Sequence, residues 1–112
     1  MIAFAEDVSG ITVSFGQDCV MDPWYPLGQG DMLEAACMGI HAAPMTSREA
    51  MRWAFDAVTV NPAKAMHLQR YGLEKGRNAD FVVLQAKDPI DAIRLKANRL
   101  TVVRRGQVIA ET

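Results

Sequence analysis

A short β-prone run that leads into an acidic residue and a stiff loop constrains this sequence more than any other feature. The run is Ile11–Phe15, and Asp18 stands where a strand should end. In α/β folds, the carboxyl ends of parallel strands and the loops after them hold catalytic side chains. The following loop, residues 22–28, contains two prolines, two aromatic residues and a glycine, which make it stiff. We predict that Asp18 is a functional carboxylate beside a pocket wall, although spacing alone equally allows an Asp that caps a turn.

The length of the chain limits the fold that it can form. With 112 residues it is one domain by length, whereas a (β/α)8 barrel typically has about 250 residues. Half of the residues are apolar and 22% are charged, which is typical of a globular protein. A complete barrel is therefore excluded.

Charge and hydropathy disfavour several classes of partner. The formal net charge is −1, and no stripe of Lys and Arg is interleaved with aromatic residues. We therefore expect neither nucleic acid nor a membrane surface as a partner. The sequence has no apolar run long enough to span a bilayer and no secretory signal pattern at its amino end, so we expect a cytoplasmic protein.

The cysteines do not indicate a disulfide framework. Cys19 and Cys37 are expected to be reduced thiols. Cys37 and His41 lie four residues apart, so one helical face could present both to a metal ion. Two further ligands are missing, and a packed or hydrogen-bonded histidine is the favoured interpretation. A weaker alternative is a composite metal site in which two copies combine Asp18, Cys37 and His41.

Capping and turn residues predict the secondary structure. Residues 3–9 have the pattern of a helix tail. Four later helix starts are predicted, at Asp31 for a helix to about Ala43, at a capping box of Thr46 and Glu49, at Asn61-Pro62, and at Asp88-Pro89. Three short strands are predicted at Phe81–Leu84, Leu100–Val103 and Val108–Ala110, the last two forming a hairpin. Such a set leaves open sheet edges that a stable protein must cover.

Several stretches of the sequence match one known family in the same order. They are FGQDCVMDPWYPLG (residues 15–28), GDMLEAACMGIH (30–41), NPAKAM (61–66), YGLEKGRNADFVVL (71–84) and VVRRGQVIAE (102–111). In these stretches the sequence resembles the cytosine deaminases of the amidohydrolase superfamily. The resemblance extends from about Ser9 to the end of the chain, but it covers only the last quarter or so of such an enzyme.

The resemblance implies an α/β fold that is one part of a larger enzyme. Residues 1–68 would supply the last strand and helices of a (β/α)8 barrel, and residues 69–112 the carboxy-terminal strands of a small composite β-sandwich domain. If the chain folds alone, the incomplete barrel leaves an α+β arrangement. In the family, strands from the amino-terminal segment cover the open edges, so that missing barrel segment is an implied partner.

The resemblance also assigns roles to residues. Asp18 would contact one divalent metal ion, Zn²⁺ or Fe²⁺, and shuttle a proton from the hydrolytic water. Trp24 matches a tryptophan that lines the pyrimidine pocket, with packing of the loop as an equal alternative, whereas Asp22 is expected to cap the turn before Pro23. Cys19 stands where cytosine deaminases often carry a second acidic residue facing the ring. That departure leaves related aminopyrimidine and triazine substrates open.

The implied activity is hydrolytic deamination of a small aminopyrimidine-like substrate. The remaining metal ligands in the family are histidines on earlier strands, so we expect the isolated chain to hold no metal stably and to be inactive. The alternative is a non-catalytic α+β module that covers its open edges by self-association. A homo-oligomer is expected in either case.

Overall fold

The computed structural model describes residues 10–112, and the helix tail expected at residues 3–9 lies outside them. Helices and strands follow one another in a mixed order. The helices are α1 (Met32–Ala42), α2 (Arg48–Asp56), α3 (Val60–Ala65) and α4 (Pro89–Leu95), and the strands are β1 (Phe81–Leu84), β2 (Arg99–Arg104) and β3 (Gln107–Glu111). In chain order, α4 connects β1 to β2.

Side-chain caps fix the starts of three helices. Asp31 caps α1 as predicted, because its Oδ1 accepts from the backbone N–H two residues on at 2.8 Å. Asp88 caps α4, accepting from the N–H three residues on at 2.9 Å. The prediction for α2 is wrong by one residue. Ser47, rather than Thr46, accepts from the backbone N–H three residues on at 3.0 Å, so Glu49 does not occupy the capping-box position.

The three strands form one antiparallel sheet in the order β1-β2-β3. The predicted hairpin of β2 and β3 is confirmed. Its two-residue loop, Arg105-Gly106, has φ values of 50° and 78°, as a type I′ turn requires. Asp80, just before β1, accepts from the Arg105 N–H at 2.6 Å, which ties the turn to the adjacent start of β1 at the same end of the sheet.

The strand predicted at Ile11–Phe15 is not formed. A strand exists only when neighbouring strands satisfy its backbone N–H and C=O groups. Within residues 10–112 the sheet consists of β1, β2 and β3, and none of them pairs with this run. The sequence therefore predicted the β propensity of the run but not its partner, and the barrel that it would complete is not seen among residues 10–112.

Helices α1, α2 and α4 pack on one another around a single apolar core. Its buried members are mostly small residues, namely Leu33, Ala36, Met45, Ala50, Ala54, Ala92, Ile93 and Ala97. This core takes residues from both sides of residue 68. The assignment of residues 1–68 to a barrel and 69–112 to a β-domain stays a prediction.

A bidentate ion pair connects the sheet to the helices. The Arg99 guanidinium of β2 donates to both carboxylate oxygens of Asp31, with an Nη1–Oδ2 distance of 3.2 Å. The Asp31 side chain is only 15% exposed. Although burial alone would raise the pKa of Asp31, the hydrogen bonds from Arg99 and the Leu33 N–H hold that pKa below its usual value.

Most of the sheet surface is open in the described chain. Every residue of β3 is exposed, including Val108 and Ile109 at 58% and 60%. The predicted open edges are therefore present in residues 10–112, with β1 and β3 as the outer strands. No helix in this part of the chain has the length and apolar character needed to cross a membrane.

Asp31 allows the cap and the ion pair to be separated by substitution. Asp31→Ala removes both, and we expect it to lower the free energy of unfolding by about 1–2 kcal/mol at pH 7. Asp31→Asn keeps an N-cap acceptor and should lose less. Because the folded-state pKa of Asp31 is depressed, its charge stabilises the fold above the unfolded-state pKa of about 3.9. That contribution disappears as the pH falls through the lower folded-state pKa.

Urea unfolding of both variants at pH 7 and pH 3 measures these differences. The wild-type advantage over Asp31→Asn should be smaller at pH 3 than at pH 7. Asp91→Asn is the matched control, because it breaks an ion pair with Arg94, whose side chain is 65% exposed. A wild-type advantage over Asp31→Asn that is the same at both pH values would contradict the role of the charge.

Candidate active site

Two hydrogen bonds hold the segment that leads to Asp18 against the helices. Asn61 is 2% exposed, and its Nδ2 donates to the Val13 carbonyl at 2.9 Å. The Phe15 N–H donates to the Ala57 carbonyl at 2.8 Å. The prediction that Asn61 is an N-cap is wrong, because α3 begins at Val60. Its amide is used instead as a buried donor to a residue far away in sequence.

The ring of Phe15 adds an apolar contact to these hydrogen bonds. It meets Trp53 of α2 edge to face, with ring centroids 5.7 Å apart. On α1, it lies so close to Gly39 that a Cβ there would be 2.4 Å from the ring. Residues 13–15 are therefore held at a defined place beside α1 and α2, and the last of them, Phe15, lies three residues before Asp18 in the sequence.

Asp18 lies at the surface with its carboxylate exposed. The thiol of Cys19 donates to its Oδ1 at 3.3 Å. This hydrogen bond, together with the nearby carboxylates of Asp18 and Asp22, raises the pKa of Cys19 from 9.0 to about 11. Cys19 is therefore a protonated thiol rather than a nucleophilic thiolate.

Residues 19–28, which we term the aromatic loop, are closed on themselves by main-chain contacts. Asp22 Oδ1 accepts from the N–H groups of Trp24 and Tyr25 at 3.0 and 2.7 Å. These bonds, that to Tyr25 foremost, hold the pKa of Asp22 below its usual value, and they fit the turn-capping role predicted for it. Gly28 lies against the Cys19 carbonyl, where a Cβ would be only 2.0 Å from the oxygen. The loop thus has the closed form of an Ω-loop.

The two aromatic side chains of the loop face different surroundings. Trp24 is 88% exposed, so its indole is not packed onto the helices of the described structure. Tyr25 is half-buried, and its hydroxyl donates to Glu34 Oε1 of α1 at 3.0 Å. That hydrogen bond raises the pKa of the Tyr25 phenol. Sequence reasoning missed this pair, because nothing in the spacing of nine residues relates a loop tyrosine to a helical glutamate.

A cavity among the described residues lies away from these side chains. It has a volume of about 640 Å³ and lies between the helices and the sheet, lined by Leu33, Phe55, Tyr71, Phe81 and Val102 among others. Asp18, Cys19 and Trp24 are not part of its wall. Among the described residues, Asp18 and Cys19 are in contact with each other, and Asp18 and Trp24 are exposed.

Known proteins match nearly the whole of this chain. A family model described as the amidohydrolase family matches residues 8–110. The chain belongs to the amidohydrolase family. N-isopropylammelide isopropyl amidohydrolase from Pseudomonas sp. (strain ADP) is 30% identical over 104 residues, which are 92% of this chain and 26% of that protein.

Solved structures of two amidohydrolases match this chain closely. The 5-methylcytosine deaminase from Klebsiella pneumoniae, liganded with phosphonocytosine, is 40% identical with a TM-score of 0.86. That match covers 96% of this chain and 26% of the deaminase. N-isopropylammelide isopropylaminohydrolase from Burkholderia multivorans is 33% identical with a TM-score of 0.85, covering 91% of this chain and 26% of that one. This amidohydrolase chain therefore spans about a quarter of the length of its relatives.

Members of the family generally bind a divalent metal ion. The residues described for this amidohydrolase chain do not form such a site by themselves. Among residues 10–112, no group of three or more His, Cys, Asp or Glu side chains is placed to hold a metal ion. His41 Nδ1 lies 2.7 Å from the Cys37 carbonyl and 3.9 Å from its thiol, which favours the hydrogen-bonded histidine over a metal ligand. Asp18 offers a single carboxylate, whereas catalytic zinc normally takes three protein ligands.

Substitution by aspartate tests whether Asn61 acts as a hydrogen-bond donor or as a helix N-cap. Aspartate is as good an N-cap as asparagine, but it has no N–H to give to the Val13 carbonyl. We expect Asn61→Asp to lower the free energy of unfolding by more than about 2 kcal/mol, because it leaves a buried carbonyl unpaired and buries a charge. It should also speed hydrogen exchange at residues 13–15.

Chemical unfolding and hydrogen exchange measured by mass spectrometry test this expectation. Asn98→Asp is the control, since Asn98 is exposed and donates to Gln85 at 3.2 Å on the surface. A stability of Asn61→Asp equal to that of Asn98→Asp would mean that Asn61 acts as a cap after all.

Proposed function

We propose that this chain is the carboxy-terminal part of a metal-dependent amidohydrolase that hydrolytically deaminates cytosine or a related aminopyrimidine or triazine. The observation that carries the proposal is the exposed carboxylate of Asp18 at the base of a closed aromatic loop, in a chain 40% identical to 5-methylcytosine deaminase. The match to N-isopropylammelide hydrolases extends the proposed substrate class from pyrimidines to triazines.

In this proposal Asp18 is both a metal ligand and the group that moves a proton. A divalent ion, Zn²⁺ or Fe²⁺, would supply an activated water when bound. Asp18 Oδ1 accepts only a weak thiol hydrogen bond in the described structure, so the carboxylate keeps acceptor capacity for a proton. Taking that proton and delivering it to the leaving amine is general acid–base catalysis by one positioned carboxylate.

Trp24 and Cys19 are proposed to contact the substrate. The exposed indole of Trp24 offers a flat apolar face on which a pyrimidine or triazine ring can stack. Cys19 precedes the turn of the loop and stands beside Asp18, so its thiol would lie at the edge of that ring. A thiol is a weak donor and a weak acceptor, and it favours rings that lack a strong polar partner at this edge.

The rest of the enzyme is proposed to come from a barrel segment that precedes the matched quarter in the relatives. That segment would provide the other metal ligands and cover the open sheet. The isolated chain would then bind no metal stably and would not release ammonia.

A chimera tests the assignment directly. The final quarter of the Klebsiella pneumoniae deaminase is replaced by residues 8–110 of this chain, which are those that match the family. We expect the purified chimera to contain bound metal and to release ammonia from cytosine or 5-methylcytosine. Asp18→Asn should lower kcat by a factor of roughly 10²–10⁴ because it removes the proton acceptor.

Glu111→Gln serves as the matched control, since it neutralises an exposed carboxylate of β3 far from Asp18 in sequence. Its kcat should equal that of the unsubstituted chimera. A folded chimera that contains metal but deaminates none of the pyrimidines or triazines tried would refute the proposed activity. Full activity in Asp18→Asn would refute the role of Asp18.

The second candidate function is a non-catalytic module that self-associates. The observation that favours it is the fully exposed strand β3, whose apolar side chains Val108 and Ile109 lie at a sheet edge. In that case the 112-residue chain should form a dimer or larger assembly at micromolar concentration, as measured by light scattering. A monomer at the highest soluble concentration would rule this candidate out.

A further inference from the structure

Two adjacent residues of the aromatic loop, Trp24 and Tyr25, differ in exposure and in their contacts. Trp24 is 88% exposed, whereas Tyr25 is half-buried with its ring beside Gly28. The Tyr25 hydroxyl reaches out of the loop to Glu34 Oε1 on α1 at 3.0 Å. Because the two residues are adjacent in the chain, an anchored Tyr25 also limits where the Trp24 indole can lie.

Glu34 is an unusual residue for the place that it occupies. It lies in the first turn of α1, where an acidic side chain favours the helix, but an exposed one would do so without burial. Its Oε2 is buried and has no hydrogen-bond partner among the described residues. A buried, unpaired carboxylate oxygen destabilises a fold. The compensating interaction of this carboxylate in the described structure is the hydrogen bond that its Oε1 accepts from the Tyr25 hydroxyl.

The other contacts of the loop act within it. The turn at Asp22 and the approach of Gly28 to Cys19 shape the loop, but they connect loop atoms to loop atoms. None of these contacts ties the loop to a helix. The hydrogen bond from Tyr25 to Glu34 connects the loop to a helix of the apolar core.

We infer that Tyr25 and Glu34 are positioning residues, which hold the aromatic loop against α1 so that Trp24 is presented to the ring of the substrate. The presentation of a substrate ring rests on the proposed function, whereas the anchoring of the loop does not. Neither residue is required to contact the substrate.

Hydrogen exchange of the 112-residue chain tests the anchoring without any assay of activity. Tyr25→Phe removes only the hydroxyl, and we expect the amides of residues 24–28 to exchange about fivefold faster. The amides of α2 (Arg48–Asp56) report global stability in the same experiment and should not change. Glu34→Ala should act like Tyr25→Phe, whereas Glu34→Gln keeps an acceptor and should stay within about twofold of the wild type.

Tyr71→Phe is the matched control, because Tyr71 is also half-buried but lines the 640 Å³ cavity, whose wall includes no residue of the aromatic loop. It should leave exchange in the loop unchanged. The anchoring is overturned if Tyr25→Phe leaves loop exchange unchanged, or if it speeds α2 by the same factor as the loop.

The deaminase chimera tests what the anchor does for the reaction. Tyr25→Phe should raise KM by roughly tenfold with a smaller change in kcat, since a misplaced indole weakens the orientation of the ring. Trp24→Ala should raise KM at least as much, and adding Tyr25→Phe to it should have little further effect. Glu34→Gln should retain a KM near that of the unsubstituted chimera.

The outcomes separate the two proposals. A Tyr25→Phe chimera with reduced kcat and unchanged KM has lost folded enzyme only, and that result overturns the positioning role. If the unsubstituted chimera deaminates nothing, the proposed function fails, and the exchange measurement still decides whether Tyr25 and Glu34 anchor the loop.

Discussion

The carboxylate of Asp31 joins the two halves of the described structure. It caps α1 and at the same time binds the Arg99 guanidinium of β2, so the start of a helix and the place of the sheet depend on one side chain. The rigid fork of arginine matches a carboxylate in both distance and orientation. No residue of β1, β2 or β3 is fully buried. The polar contact therefore acts together with Leu84 of β1, which packs partly buried against the apolar core, to hold the sheet on the helices.

Local chemistry predicted those parts of the fold that depend on neighbours in sequence. Asp31 and Asp88 were identifiable as caps because an N-cap needs only the amides of the next turn. The Arg105-Gly106 turn was also recognisable, because a two-residue hairpin loop depends only on the residues of the loop and the strands on either side of it. The strand expected at Ile11–Phe15 needed partners from outside the described chain, and Asn61 made its decisive hydrogen bond 48 residues away. No pattern within a short window contains that information.

In the candidate site, too, the features set by neighbouring residues were predictable and the contacts between distant residues were not. The sequence indicated Asp18 by its place after a β-prone run, and it indicated the turn at Asp22 by the proline that follows. The contact of Tyr25 with Glu34 was not predictable, since it depends on how the loop lies on α1. A complete metal site was not predictable from this chain, because its relatives are almost four times as long. Among residues 10–112, no three His, Cys, Asp or Glu side chains are grouped so that they could hold a metal ion.

The closure of the aromatic loop at Gly28 has a consequence for how such a site can change over generations. The path of the loop is set by backbone atoms, the Asp22 carboxylate and a glycine, so it does not depend on the side chains at the tip. Met21 and Leu27 are 80% and 77% exposed and pack against little else. Replacing Met21 or Leu27 would alter the surface of the aromatic loop and leave the path of its backbone unchanged. Single substitutions at these two positions could therefore change the surface of the loop without remodelling the scaffold that holds Asp18.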